Sequence, residues 1–137
     1  PDFRRKARFI AGGHMTDPPD ILTYSYVVSR ESIRIGFFIA ALNGLDVLAA
    51  DIGNVYIIAP CKEKIWTKPG SEFERDHWQV MLIVQALYGL KSSGAAWHKM
   101  FADGMYSISF IPSKADPDVW MRPAITTDNL QKAFNPD

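Results

Sequence analysis

Two regions of the chain carry the hydrophobic periodicity of helices. In the first, Ser29 precedes an acidic first turn and an Asn-Gly pair closes an apolar block, which predicts a helix over residues 30–43. Every residue from Gly36 to Leu42 is nonpolar. We therefore expect the C-terminal half of this helix to be buried in the core.

Apolar side chains also recur on one face from about Ser93 to Ile108, which predicts a second, amphipathic helix. This face holds Trp97, Met100, Phe101, Met105 and Ile108, and the opposite face holds His98, Lys99 and Asp103. We expect Trp97 to pack in the core rather than to stack on a nucleic-acid base.

Short apolar runs bounded by turn signals predict the strands. These runs lie within residues 4–11, 47–52, 65–67, 79–84 and 118–121. The order of strands and helices favours an α+β domain, with an antiparallel sheet and helices packed on one of its faces. The second run ends at a carboxylate, so we expect Asp51 to lie where the sheet stops, followed by a turn at Gly53-Asn54.

The composition narrows the class of protein without naming a partner. The chain has 137 residues, of which 47% are hydrophobic and 22% charged, which is typical of a single globular domain and excludes collagen and wholesale disorder. Fifteen basic and fifteen acidic residues give a formal net charge of zero. The net charge therefore gives no reason to expect binding to nucleic acid or to a membrane. Evidence for either partner must come from particular residues and motifs.

The termini and the single cysteine add three expectations. Cys61 is the only cysteine, so an internal disulfide is excluded. No apolar run reaches the roughly 18 residues of a membrane span, and the N-terminus lacks the apolar stretch of a signal peptide, so we expect no membrane partner. Because the sequence begins with Pro1, we expect it to start inside a longer reading frame.

Asp51 is the first candidate for chemistry. A carboxylate that closes an apolar run and is followed by Gly53 can hold a divalent cation near a phosphate, although an Asp in this position is also common as a turn residue. His14, His77 and His98 lack the spacing of metal ligands, and we interpret them as surface or structural residues.

Residues 51–60, Asp-Ile-Gly-Asn-Val-Tyr-Ile-Ile-Ala-Pro, resemble the first catalytic motif of reverse transcriptases. Residues 86–97, Ala-Leu-Tyr-Gly-Leu-Lys-Ser-Ser-Gly-Ala-Ala-Trp, resemble the ALYGLK…AW segment of copia-type retrotransposon polymerases. Residues 6–13 resemble the KARLVAKG fingers strand of the same family, and residues 113–120 resemble the segment before its last catalytic hairpin. Four ordered matches therefore identify the chain as similar to a copia-type reverse transcriptase, an RNA-directed DNA polymerase.

The resemblance covers about residues 3–123 and implies a partial fingers–palm polymerase domain, with residues 124–137 as a divergent polar tail. It implies deoxynucleotides and an RNA or DNA template-primer as partners, Mg²⁺ as cofactor and a cytoplasmic location. It leaves the oligomeric state open.

The resemblance also assigns roles to individual residues. It implies that Asp51 is a catalytic, metal-binding residue and that Tyr56 is a gate that excludes a 2′-hydroxyl, the alternative being a core aromatic on a strand. Nucleotide contacts are implied for Lys6, Arg8, Asn54, Val55, Tyr56, Tyr88, Gly89 and Lys91. For Lys6 and Arg8 the alternative is a solvated edge strand.

The chain departs from the family in one decisive respect. The family's two further catalytic aspartates lie in a Tyr-Val-Asp-Asp hairpin, and this sequence has no such string after Arg122. One carboxylate cannot hold two magnesium ions about 4 Å apart, so we expect the chain as given to be inactive. Gly94, in place of the family's usual Pro, and Val55, in place of a smaller Ala, are lesser departures. The alternatives are a non-catalytic nucleic-acid-binding remnant and the product of a decayed pseudogene.

Overall fold

The structure is a computed structural model that describes residues 9–21, 23–71 and 79–124. Lys6 and Arg8, most of the proposed polar tail and part of the first predicted strand lie outside the described residues.

The described residues combine two long helices with one short helix and several two-residue strands. The helices are α1 (Arg30–Asn43), α2 (Val55–Ile58) and α3 (Ser93–Ser107), and a 3-10 turn spans Gly13–Met15. The strands are β1 (Trp66–Thr67), β2 (Met81–Leu82), β3 (Ile111–Pro112) and β4 (Trp120–Met121). This mixture is compatible with the predicted α+β class, and both long helices lie where their sequence pattern predicts them.

The strands of the described part form two separate ladders and not one sheet. β1 pairs antiparallel with β2, with Trp66 opposite Leu82, and β3 pairs antiparallel with β4, with Ile111 opposite Met121. The prediction of a strand over residues 47–52 is wrong, because this run forms no ladder and Leu48 is 95% exposed. An apolar run becomes a strand only when a partner satisfies its backbone groups.

The caps of α1 form as predicted. The Ser29 hydroxyl oxygen accepts a hydrogen bond from the Ser32 amide at 3.0 Å, and Gly44 closes the helix in the left-handed conformation with φ of 60°. The predicted burial of its C-terminal half is wrong, since α1 has no buried residue. Local sequence determines where this helix begins and ends, whereas burial requires another element packed on its apolar side chains.

The chain divides into two compact units. The first comprises Pro1–Tyr26 and Val47–Asp103, and the second comprises Val27–Asp46 and Gly104–Asp137, so α3 begins in the first unit and ends in the second. The buried hydrophobic residues of the described part all lie in the first unit: Ala59, Ile83, Ala86 and Leu90. Within the described residues, no helix combines the length and hydrophobicity that crossing a bilayer requires.

Asp116 links the two sequence segments of the second unit. Its Oδ2 accepts hydrogen bonds from the Ser32 hydroxyl at 2.6 Å and from the Ser29 amide at 2.9 Å, and its Oδ1 accepts one from the Asp118 amide at 3.1 Å. The Ser32 hydroxyl, followed by the Ser29 amide, lowers the pKa of Asp116 from its ordinary value of 3.8 to about 2. The ionised carboxylate therefore connects the β3–β4 turn to the start of α1.

This pKa shift predicts an acid-sensitive contribution to stability. Because the folded-state pKa lies below the unfolded value, the contribution is fully present above about pH 4 and is lost as the pH falls from 3.8 to about 2. We expect the urea midpoint of the wild type to fall over this interval and that of Asp116→Asn to fall less. Asp46→Asn, which removes an exposed carboxylate of the same unit, is the control. Equal acid sensitivity in all three chains would contradict the prediction.

Candidate functional site

Asp51 lies in an exposed, irregular segment that leads into a turn at Gly53 and Asn54. The expectation that a sheet edge presents this carboxylate is wrong, because the preceding residues form no strand. The turn itself is confirmed, and Asn54 adopts the left-handed conformation with φ of 56°, which Asn tolerates better than most residues. Val55 and Tyr56 follow directly as the first residues of α2.

The two motif segments of the first unit meet through Tyr56 and Tyr88. Their ring centroids are 4.6 Å apart at an interplanar angle of 78°, an edge-to-face contact between two half-buried side chains. Tyr56 belongs to α2, so its backbone is helical, and the alternative that it is a core aromatic on a strand is wrong. Edge-to-face pairs of this kind contribute about 0.5–1.5 kcal/mol beyond the burial of their surface.

Backbone hydrogen bonds hold the same two segments side by side. The Cys61 amide donates to the Val84 carbonyl at 3.0 Å, and the Ala86 amide donates to the Ala59 carbonyl at 2.9 Å. Because Ala59 and Ala86 are both buried, the second of these bonds is shielded from water. The position of Tyr56 relative to Tyr88 is thus set by backbone pairing as well as by the ring contact.

Gly89 lies at a close approach of two backbones. Its φ is 92°, a conformation that L side chains rarely adopt, and a Cβ atom there would overlap the carbonyl oxygen of Ala11. A Cβ on Gly13 would in turn overlap the carbonyl oxygen of Gly89. The Ala11 amide donates to the Tyr88 carbonyl at 2.7 Å, which fixes the crossing. The glycine that the resemblance assigns to nucleotide approach is therefore required by the packing of the chain on itself.

Lys91 also makes a structural contact. Its Nζ donates to the Thr16 carbonyl at 2.7 Å, and the Thr16 hydroxyl donates to the Gly13 carbonyl at 2.9 Å. The Lys91 residue is exposed and its ammonium group has three donors, so binding to Thr16 leaves capacity for a phosphate oxygen.

Two buried serines of the same motif were missed by sequence reasoning. Ser92 is 4% exposed and donates to a carboxylate oxygen of Glu63, and Ser93 is 2% exposed and donates to the Leu87 carbonyl at 2.6 Å. Serine is favoured at the start of a helix, and this preference was the feature of the sequence that could have indicated a structural role for the two residues. The distant partner Glu63 could not be read from that signal.

The described residues do not form a complete metal site. Within residues 9–21, 23–71 and 79–124, no three His, Cys, Asp or Glu side chains come together as metal ligands. Asp51 alone does not match the carboxylate set that two magnesium ions require.

A cavity of about 340 Å³ lies elsewhere in the first unit. Its lining includes Pro60, Lys62, Ala96 and Met100, and none of the residues that the resemblance assigns to nucleotide binding. Its volume would suit a small ligand, but its position does not support the predicted site.

Comparison with known proteins matches residues 1–130 to a family described as reverse transcriptase (RNA-dependent DNA polymerase). The chain is 29% identical over 100 residues to the Transposon Ty1-BL Gag-Pol polyprotein of Saccharomyces cerevisiae, and the match covers 72% of this chain and 6% of that protein. It is equally similar, at 29% over 100 residues, to the Truncated transposon Ty1-A Gag-Pol polyprotein of the same yeast, of which the match covers 8%. No solved structure matches the chain.

Proposed function

The chain belongs to the reverse transcriptase (RNA-dependent DNA polymerase) family, whose match spans residues 1–130, and on this premise we propose that its first unit carries the nucleotide site of a copia-type polymerase. We assign residues 1–123 to a partial fingers–palm domain and residues 124–137 to a divergent tail. The chain spans less than a tenth of the Ty1 polyproteins that it matches, so the activity of those proteins is a proposal for this chain.

The contact between Tyr56 and Tyr88 carries this proposal. It joins the Asp51–Tyr56 segment, which offers a carboxylate for a metal ion, to the Tyr88–Lys91 segment, which offers a cation for phosphate, and phosphoryl transfer uses both kinds of group. We assign nucleotide contacts to Asn54, Val55, Tyr56, Tyr88, Gly89 and Lys91, and to Lys6 and Arg8 outside the described residues.

Tyr56 is proposed to select deoxynucleotides by excluding a 2′-hydroxyl. We expect the wild type to bind dUTP more tightly than UTP in equilibrium dialysis, since the two differ only in the 2′-hydroxyl, and Tyr56→Ala to reduce this preference about tenfold, since a steric rejection disappears with the ring. Tyr56→Phe keeps the ring and is the matched control, so its preference should equal that of the wild type. A Tyr56→Ala protein with an unchanged preference for dUTP over UTP would rule out the gate.

Reverse transcriptases generally depend on divalent metal, and Asp51 supplies only one carboxylate of such a site. We therefore propose that this chain binds nucleotide without polymerising it. In a primer-extension assay with Mg²⁺ and an RNA template, we expect no product from the wild type or from Asp51→Asn. Extension by the wild type that is lost in Asp51→Asn would mean that another carboxylate of the chain completes the metal site.

A further inference from the structure

The cavity of about 340 Å³ in the first unit lies along one face of α3. Its lining residues from Ser92 to Asp103 are three or four positions apart, which places them on the same side of the helix. The short side chains of Ala95 and Ala96 leave space on this side. Ile21 and Pro60 contribute to the rest of the lining, and we call this space the α3 cavity.

Hydrogen bonds hold the walls of the α3 cavity together. Ser92 directly precedes α3, is buried and donates to the Glu63 carboxylate, so the start of the helix is tied to the segment that carries Pro60. That segment is paired in turn with another part of the chain, because the Cys61 amide donates to the Val84 carbonyl at 3.0 Å. The cavity is therefore formed before a ligand enters, as small-molecule sites usually are.

The interior of the α3 cavity is apolar and its charges lie at the rim. Met100 and the two alanines of the helix are half-buried. The charged residues of the lining, which are Lys62, Lys99 and Asp103, are exposed. An apolar body is shielded from water in such a space, while a charged end stays at the surface. The ligand that fits is amphiphilic.

The charges at the rim favour an anion. Lys62 and Lys99 carry two positive charges against the one negative charge of Asp103, which leaves an excess of one positive charge. The Lys99 Nζ donates to both carboxylate oxygens of Asp103, at 2.9 and 3.1 Å, and so neutralises the acidic residue. Lys62 therefore supplies the charge for a ligand, and an excess of one charge matches a monoanion better than a polyphosphate.

We propose that the α3 cavity binds a small amphiphilic carboxylate, with its alkyl or aryl body against α3 and Pro60 and its carboxylate on the Lys62 ammonium group. The cavity volume lies near the lower end of the range of about 300–1,000 Å³ for small-molecule sites, which favours a short body over a long lipid. None of the described residues assigned to nucleotide binding lines this cavity, so the inference stands independently of the proposed function.

The test compares octanoate with octanol, which have equal numbers of carbon atoms and differ in charge. The readout is the dissociation constant of each by isothermal titration calorimetry on the full chain at neutral pH. We expect octanoate to bind about 2- to 5-fold more tightly than octanol, as for a charge pair at an exposed position. Lys62→Gln should weaken octanoate binding to the level of octanol and leave octanol unchanged. Lys64→Gln removes an exposed lysine outside the lining, and as the matched control it should change neither affinity.

A second pair of variants tests the cavity itself. Ala96→Phe places a ring in the α3 cavity and should weaken both ligands about tenfold or more, because the ring occupies the space of the apolar body. Ala41→Phe makes the same change on an exposed residue of α1 and should leave both affinities unchanged. Circular dichroism melts of each variant separate loss of binding from loss of folding. If Ala96→Phe does not fold, the comparison of Lys62→Gln with Lys64→Gln decides the question.

Five results would overturn the inference. Three concern the ligand and the cavity: no octanoate binding by the wild type, equal wild-type affinities for octanoate and octanol, or unchanged binding by folded Ala96→Phe. The fourth is an equal loss of octanoate affinity in Lys64→Gln and Lys62→Gln, which would mean that the positive charge acts without a specific position. The fifth is loss of octanoate binding in Ala41→Phe, which would move the ligand to the apolar surface of α1.

Discussion

Replacing Gly89 with alanine is expected to lower the free energy of unfolding by about 2–5 kcal/mol. A left-handed φ costs a residue with a Cβ roughly 1–2 kcal/mol, and φ here is 92°. The new Cβ would also overlap the Ala11 carbonyl oxygen, which is backbone and cannot move without breaking the hydrogen bond from the Ala11 amide to Tyr88. Overpacking of this kind adds about 1–3 kcal/mol. Urea denaturation followed by circular dichroism measures the loss.

Gly36→Ala is the matched control for this substitution. Gly36 lies inside α1, and nothing lies within 4 Å of the position that a Cβ would take. Alanine should therefore stabilise the protein by about 0.5–1 kcal/mol, because glycine is the more costly residue in a helix interior. If Gly89→Ala left stability unchanged while Gly36→Ala raised it, the backbone crossing at Gly89 would be wrong.

Replacing Ser92 with alanine is expected to cost about 1–3 kcal/mol of unfolding free energy. The Ser92 hydroxyl is buried and donates to the half-buried Glu63 carboxylate, so its removal leaves a charged acceptor without this donor. The bond also connects the residue just before α3 to the loop that precedes β1. Loss of the contact should therefore loosen the turn that contains Lys91, and the Tyr88–Lys91 segment with it.

A double-mutant cycle that combines Ser92→Ala with Glu63→Ala measures how much of the lost unfolding free energy is due to the hydrogen bond between these two side chains. We expect a coupling energy of about 0.5–3 kcal/mol, as for residues in direct contact. Ser107→Ala is the control, because Ser107 is an exposed residue near the end of α3 whose hydroxyl binds the nearby Gly104 carbonyl. Its effect should stay within about 0.5 kcal/mol. Additive effects of Ser92→Ala and Glu63→Ala would show that the two side chains act independently.

The limits of the helices could be predicted from local sequence, whereas those of the strands could not. The predicted limits of the first helix, residues 30–43, are those of α1, because the cap residues and the apolar block lie within a few positions of one another. The strand predictions were less accurate: residues 79–84 shorten to β2 and residues 47–52 form no strand. A strand needs a partner that is distant in sequence, and apolar character alone does not supply it.

In the candidate site, too, some features could be predicted from the sequence and others could not. Its motifs and their order were readable from the sequence, and the family match over residues 1–130 agrees with them. The roles of individual residues are more mixed, since Gly89 and Lys91 make structural contacts with Ala11 and Thr16 in addition to their proposed nucleotide contacts. Those partners lie at the other end of the first unit's sequence, so no local pattern indicates them.

The sequence by itself determined the family of this protein, the limits of its long helices and the residues worth testing, because each of these depends on residue types at short, regular spacings. The tertiary structure alone decided that Tyr56 contacts Tyr88, that Gly89 lies at a backbone crossing, that Ser92 binds Glu63 and that Asp116 binds the first turn of α1. These contacts join residues far apart along the chain. Their energies depend on distances of a few ångströms, which only the folded backbone sets.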